Sequence, residues 1–141
     1  MAALHAAAFT RPRPWTETEF RDLLAGHGTF AAGHAEAFAL VRVIADEAEL
    51  LTIATHPSRR RMGLARSLMR AWETEAAARG ATRAHLEVAE DNLAARRLYE
   101  RCGYAEAGRR KGYYHAPGAA PADALIMSKD LDAGTPRKPL P

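Results

Sequence analysis

The spacing of apolar side chains changes period several times along this chain, and each change marks a structural element. From Ala37 to Ile44 the residues alternate, with Phe38, Leu40 and Arg42 on one face and Ala39, Val41 and Val43 on the other. A period of two is that of a β-strand. Glu47 to Thr55 is a second strand, carrying Leu50, Leu51, Ile53 and Ala54, with Asp46-Glu47 as the expected hairpin turn. Thr29 to Ala35 is a shorter strand candidate before both. From Gly63 to about Arg79 the period lengthens. Leu64, Leu68, Ala71 and Trp72 recur at helical spacing, Ala65, Met69 and Ala76 lie beside them, and Arg66, Arg70, Glu73 and Arg79 fall elsewhere on the wheel. Gly80 stops this helix.

Period two returns from Thr82 to Ala89. Ala84, Leu86 and Val88 share one face, and His85 and Glu87 the other. Asp91 or Asn92 then caps a helix with Leu93, Ala94, Leu98 and Tyr99 inward and Gly103 as its stop. Tyr104 to Tyr114 reads as a strand kinked at Gly108, His115 to Pro121 as a loop, and Ala122 to Lys129 as the last strand. Ahead of all these, Ala2 to Phe9 is an Ala-rich helix candidate broken by Arg11-Pro12-Arg13-Pro14. Thr16 and Glu19 then make a capping box, with Trp15 and Phe20 placed for a hydrophobic staple, and that helix ends near Gly26-His27-Gly28.

The order α-α-β-β-β-α-β-α-β-β implies an α/β (α+β) fold, with an antiparallel first half and a βαβ crossover in the middle. Residues 1–131 are expected to form a single domain. Asp132 to Pro141 holds three prolines and a glycine and no apolar period, so a disordered tail is expected there.

Composition narrows the class. Twenty Lys and Arg stand against seventeen Asp and Glu, a net charge of +3 that is too small to argue for nucleic acid. Distribution says more: one cluster holds Arg59, Arg60, Arg61, Arg66 and Arg70, a second Arg109, Arg110 and Lys111. Either could face a phosphorylated ligand, or be a solvated surface. The single cysteine, Cys102, precludes a disulfide framework within the chain and fits a reducing cytoplasm. Its place before a helix-ending glycine suits packing better than nucleophilic catalysis. None of the six histidines pairs with acids at ligand spacing, so no metal is expected. No apolar run approaches the roughly twenty residues of a membrane span. Met1 to Phe9 lacks the basic lead and length of a signal peptide and is read as a helical start.

The chemistry concentrates at residues 55–66. A strand ends at Thr55-His56-Pro57, arginines follow, then Gly63 and Ala65 open a helix. A helix N-terminus offers unpaired N–H groups and the positive end of the dipole, and small residues let a pyrophosphate approach. The missing Gly-Lys-Ser/Thr and glycine triplet exclude a Walker loop and a dinucleotide fingerprint. Arg60-Arg61-Met62-Gly63-Leu64-Ala65 instead resembles motif A of the GNAT family of N-acetyltransferases. The resemblance covers roughly residues 36–131. It continues through Leu86-Glu87-Val88, Glu90-Asp91-Asn92, Leu98-Tyr99-Glu100-Arg101-Cys102-Gly103-Tyr104, Gly108 to Tyr114 and Asp123 to Met127, in the manner of the ribosomal-protein-alanine N-acetyltransferase (RimI-type) branch.

That resemblance implies a mixed, mostly antiparallel sheet with a central splayed parallel strand pair, flanked by helices. The family's first strand would be missing here, leaving an exposed edge near Thr29. Acetyl-CoA is the implied cosubstrate. Backbone of Ile53, Ala54 and Thr55 would bind the pantetheine, and that of Arg60, Arg61, Met62, Gly63, Leu64, Ala65 and Arg66 its pyrophosphate. Asn92 would touch the pantetheine arm. Glu87 matches the general base and Tyr99 the general acid, while Tyr113 and Tyr114 would line an acceptor groove. The residue chemistry agrees, because an α-amino group of pKa near 8 needs a base at neutral pH and a departing thiolate gains from a hydroxyl. The implied partner is a protein N-terminus, an Ala-starting ribosomal protein foremost, with no direct nucleic-acid or membrane contact, in a cytoplasmic monomer or weak dimer. The alternatives are a small-molecule amine as acceptor, a non-catalytic acyl-CoA-binding module, and an RNA- or ribosome-binding module.

Overall fold

In the computed structural model, which describes residues 16–34, 37–55, 63–114, 118 and 120–131, the alternating segment Ala37–Ile44 (β2) lies between two antiparallel partners, Thr29–His34 (β1) and Glu47–Thr55 (β3). The helix Glu17–Ala25 (α1) precedes them. Its start is the expected capping box: the Thr16 N–H donates to Glu19 Oε1 at 2.8 Å, and the Glu19 N–H to Thr16 Oγ1 at 3.1 Å. The helix expected at Ala2–Phe9, the Trp15 and Phe20 side chains of the staple, most of the 115–121 loop and the tail lie outside the described residues.

Residues 37–41 of β2 are all buried, so both faces of this strand are covered and its alternation separates two apolar layers. The hairpin closes one residue earlier than expected. Glu47 still pairs with Ile44, which leaves Ala45-Asp46 as the turn, with Ala45 at φ 55°. The Asp46 carbonyl then accepts the N–H groups of Thr82 and Arg83, tying the turn to the start of the next strand.

After β3 come Leu64–Ala78 (α2), Arg83–Ala89 (β4), Leu93–Arg101 (α3), Ala105–Tyr114 (β5) and Ala122–Asp130 (β6). The six strands form one sheet in the order β1-β2-β3-β4-β6-β5. Every pairing is antiparallel except β3 with β4. The α/β reading with a central parallel pair therefore holds. Among the described residues, β1 has no strand outside it; residues 1–15, where the family's first strand would fall, lie outside the described residues.

The core lies between the sheet and the two later helices. Leu68, Met69, Trp72 and Ala76 form the buried stripe of α2, with Trp72 and Met69 fully enclosed. Ala71, expected on that stripe, is exposed, because it falls roughly a quarter-turn or more from the stripe's centre. On α3 the packed positions are Ala95, Leu98, Tyr99 and Cys102. Leu93 and Ala94, expected inward, are exposed, Leu93 to 54%. The helix presents one face to the sheet, and Leu93 stands nearly opposite the centre of that face on the wheel.

Candidate active site

The two central strands pair over only three residues: Glu47 with Arg83, Ala48 with Ala84, and Glu49 with His85. Beyond Glu49 and His85 they part. The upper half of β3, which holds Ile53, Ala54 and Thr55, stays paired to β2 on its other edge. The upper half of β4 stays paired to β6 from Leu86 to Ala89. Two three-stranded halves thus diverge around an opening whose walls are strand edges. Edges of this kind present N–H and C=O groups that no neighbouring strand takes up. Ala54 is buried and Ile53 packs against the core, so their side chains anchor the wall while the backbone faces the opening.

Both helices that flank the opening begin at its wide end, one after β3 and one after β4. Their starts differ. Gly63 is the N-cap of α2, in the left-handed region at φ 75°, and it has no side chain to cap the helix. Its carbonyl accepts the Ser67 N–H at 3.1 Å. A Cβ placed on Gly63 meets nothing within 4 Å, so glycine is needed there for its φ and for the space it leaves outside the protein. Arg60, Arg61 and Met62 lie outside the described residues. Leu64 and Ala65 are half-buried and Arg66 is exposed. On α3, Asn92 is the cap, its Oδ1 accepting the Ala95 N–H at 3.2 Å. That commits the oxygen and leaves the two amide N–H donors for a ligand.

Glu87 sits on β4 opposite the face of Leu86 and Val88, as its alternation requires. Both its oxygens are engaged from β5: the Tyr114 hydroxyl donates to Oε1 at 3.3 Å, and Arg110 Nε stands 3.4 Å from Oε2. Tyr113 stacks edge-on against Tyr114 at 5.2 Å, and the Arg110 guanidinium lies over the Tyr113 ring at 5.0 Å. Tyr113 is half-exposed and Tyr114 partly buried. Burial, then the Glu87 charge and its hydrogen bond, push the Tyr114 hydroxyl above its ordinary range, while Arg110 opposes this. Two register irregularities make the convergence possible. Between Arg110 and Tyr114, β5 fits four residue steps against two of β6, with Gly112 at φ 61° inside the bulge.

Tyr99 approaches from the helical layer. It is 6% exposed and packs edge-on against Tyr104, ring centroids 6.2 Å apart. Burial first, then Cys102 and Tyr114, push its hydroxyl well above the ordinary tyrosine value, so it remains a proton-bearing donor throughout the physiological range. His85 does not join Glu87; its Nε2 lies 3.8 Å from Glu47 at the foot of the strands.

Sequence reasoning missed the role of Arg110, which it grouped with possible phosphate ligands. It also missed a bracket behind the site. Arg109 pairs with Glu90 and Asp123 and approaches Glu106, and Asp123 accepts the Gly112 N–H at 2.8 Å. This bracket joins the turn after β4 to the bulge carrying Tyr113 and Tyr114. No spacing in the chain signals it, because Glu90 and Asp123 lie 19 and 14 residues from Arg109. Among the described residues no group of His, Cys, Asp and Glu could hold a metal ion. No described helix is long and apolar enough to cross a membrane.

Comparison with known proteins follows the same outline. The sequence model of the Acetyltransferase (GNAT) family matches residues 3–104. The ribosomal protein bS18-alanine N-acetyltransferase of Escherichia coli is 35% identical over 131 residues, 90% of this chain and 88% of that protein. The N-alpha-acetyltransferase RimI of Mycobacterium tuberculosis is 34% identical over 138 residues, 92% of this chain and 84% of its own. The crystal structure of the ribosomal-protein-S18-alanine N-acetyltransferase from Escherichia coli superposes with a TM-score of 0.81 at 32% identity, covering 92% of this chain and 84% of that one.

Proposed function

The chain belongs to the GNAT acetyltransferase family, and from that premise we propose that it transfers the acetyl group of acetyl-CoA to the α-amino group of a protein N-terminus, an Ala-starting small-subunit ribosomal protein foremost. The observation that carries this reading is the opening between β3 and β4, with an uncapped helix start at its wide end and the Glu87 carboxylate on its wall.

The residues fit the cosubstrate. The αL geometry of Gly63 exposes the first N–H groups of α2, where a pyrophosphate is stabilised by direct hydrogen bonds and by the helix dipole. Strand edges of Ile53, Ala54 and Thr55 offer ladder-type hydrogen bonds to the amides of a pantetheine arm, and Asn92 offers its side-chain N–H groups. When bound, acetyl-CoA supplies an activated acyl group. The N–H groups of β3 stabilise negative charge developing on the thioester oxygen. Glu87 takes a proton from the acceptor's α-ammonium group, and the free amine so formed attacks the thioester carbonyl, forming the C–N bond as the C–S bond breaks. Tyr114 and Arg110 hold its carboxylate in place while leaving lone pairs free to accept. Tyr99 hydrogen-bonds the departing sulfur. Its raised proton affinity means that complete transfer to a thiolate of pKa near 8.5 is uphill, so its contribution is a hydrogen bond that strengthens as the C–S bond breaks. Tyr113, exposed beside Glu87, lines the acceptor groove with Tyr114.

We place this chemistry in a single domain of residues 1–131 of a cytoplasmic enzyme. The test is thiol release from acetyl-CoA with an Ala-starting peptide, compared with free polyamines and amino acids. Turnover with the peptide is expected. No turnover with any Ala-, Ser- or Met-starting peptide would overturn the reading.

A further inference from the structure

Three charged side chains behind the site make contacts that the acid–base chemistry does not use. Arg109 Nη1 donates to Glu90 Oε2 at 2.5 Å and to Asp123 Oδ2 at 2.8 Å. The other Asp123 oxygen, Oδ1, accepts the Gly112 N–H at 2.8 Å. The Asp123 carbonyl accepts the Glu90 N–H at 2.8 Å, and the Glu90 carbonyl accepts Arg96 Nη1 of α3 at 2.9 Å. A single residue at the start of β6 thus joins the turn after β4 to the irregular stretch of β5.

The point of attachment matters. From Arg110 to Tyr114, β5 advances four residues while β6 advances two, and Gly112 lies inside that stretch at φ 61°. A bulge takes backbone groups out of the ladder, and the Gly112 N–H goes to the Asp123 side chain. The same bulge decides which face of β5 its last residues present. Tyr114 and Arg110, on either side of it, both reach the Glu87 carboxylate. A slip of one residue would turn Tyr114 to the opposite face and take its hydroxyl from Glu87. The register on which the partners of Glu87 depend is therefore itself held by Asp123. Arg109 balances the Asp123 charge and ties it to Glu90, which keeps Oδ1 aimed at Gly112.

We propose that Asp123, oriented by Arg109, is a positioning residue for the acceptor side of the site: it fixes the β5 bulge so that Tyr114 meets Glu87 and Tyr113 stands beside them. The proposal rests on the reading that Glu87 is the base and that Tyr113 and Tyr114 line the acceptor groove. Asp123 acts through the Gly112 N–H and not on the reacting atoms. Its loss therefore bears on how the acceptor is held and how the base is aimed, and not on the cosubstrate, whose contacts are placed on β3, α2 and Asn92.

The experiment is steady-state kinetics of the full chain with an Ala-starting peptide at saturating acetyl-CoA, with calorimetric titration of CoA alongside, both well below the melting temperature. Asp123→Ala is expected to raise the peptide KM about tenfold and to lower kcat several-fold, as a displaced groove and base require, with CoA affinity unchanged. Asp123→Asn keeps an acceptor for Gly112 and should fall between that variant and the wild type, and Arg109→Lys should keep part of the effect of Arg109. Arg79→Ala is the control for stability alone. It removes a guanidinium that stacks over Phe30 at 4.3 Å and pairs with Glu75, at the other edge of the sheet, and it should leave KM and kcat as they are. An unchanged peptide KM in Asp123→Ala overturns the proposal. So does an equal rise in Arg79→Ala, or a CoA affinity that falls in step with the peptide's. If Asp123→Ala does not fold, an unchanged KM in Asp123→Asn and Arg109→Ala together overturns it. No turnover of any peptide by the wild-type chain would instead overturn the acceptor reading on which the proposal rests.

Discussion

On β5, Arg109 is held by Glu90, Asp123 and Glu106, and Arg110 by Glu87; in the groove between α2 and α3, Arg66, Arg70 and Arg101 make no ion pair among the described residues. As sequence, the cluster that contains Arg66 and Arg70 and the one that contains Arg109 and Arg110 were alike, and either could have faced a phosphate; Arg101 belonged to neither. Topology separates them. β5 lies beside β6 and one strand removed from β4, so its arginines meet Asp123 of β6, Glu87 of β4 and Glu90 just after β4, and become structural or positioning groups. The groove between the helices offers one carboxylate, and that one is occupied by Lys129 and Tyr104. On the proposed reading, charge that the fold neutralises organises the acid–base side of the site, and charge that the fold leaves open is available to a cosubstrate. The comparison predicts a clean division: changes around β5 alter turnover, and changes around α2 alter CoA affinity.

The largest effect is expected from Glu87→Gln. Loss of the proton acceptor should lower turnover by about 10²- to 10³-fold, within the usual range for general bases. CoA affinity measured by calorimetry should not change. A variant that turns over normally would remove Glu87 as base, and one that loses CoA binding would break the division between the clusters.

Gly63→Val tests the other side. A branched residue resists φ 75°, and its side chain would project from the helix start into space that the protein leaves empty. CoA affinity is expected to fall about tenfold or more, equivalent to roughly 1.4 kcal/mol. Turnover at saturating acetyl-CoA should change less. Normal affinity in this variant would overturn the anion site at α2.

How much of this was readable beforehand follows from where the information resides. The β2–β3 hairpin, α2 and β4 were legible because local period reports local structure. Glu87 was legible as facing away from Leu86 and Val88 for the same reason. Asn92 was legible as one of two adjacent capping candidates, and Gly63 as the helix-opening glycine of a motif. The partners of Glu87 were not legible. Arg110 and Tyr114 reach it only through the bulge around Gly112 and across β6, a geometry set by the β5–β6 register rather than by any spacing in the chain. The inward face of α3 was misjudged because Leu93 is apolar yet stands away from the sheet. The cationic groove draws on residues 66, 70, 101 and 129, which only the packing of two helices and a strand end brings together.

Arg110→Ala is expected to have a smaller effect. The ion pair with Glu87 is exposed and contributes little to stability, but it fixes one carboxylate oxygen. Turnover should fall about three- to tenfold through poorer alignment of the base, with CoA affinity unchanged and partial rescue in Arg110→Lys. A loss of CoA affinity matching that of Gly63→Val would mean that both clusters serve phosphate, and the contrast between them would fail.

The smallest expected effect is on stability, and it examines the bracket behind the site. The Asp123 carboxyl is held below the usual carboxylate range, first by the Gly112 N–H and then by Arg109. The sign follows from proton uptake. A carboxyl with a depressed folded-state pKa binds its proton at higher pH in the unfolded chain than in the folded one. Its stabilising contribution is therefore fully present above the ordinary aspartate value near 3.9, and it is lost as pH falls through the lower folded value. Asp123→Asn keeps an acceptor for Gly112 and removes the charge that Arg109 meets. Thermal melts from pH 7 to pH 3 should show the variant a few degrees less stable at neutral pH, with the gap closing below about pH 4. Parallel curves across that range would mean that the carboxylate does not carry the bracket. Closure of the gap would show that the β5 arginines are committed to the protein's own acids, as the division between the two clusters requires.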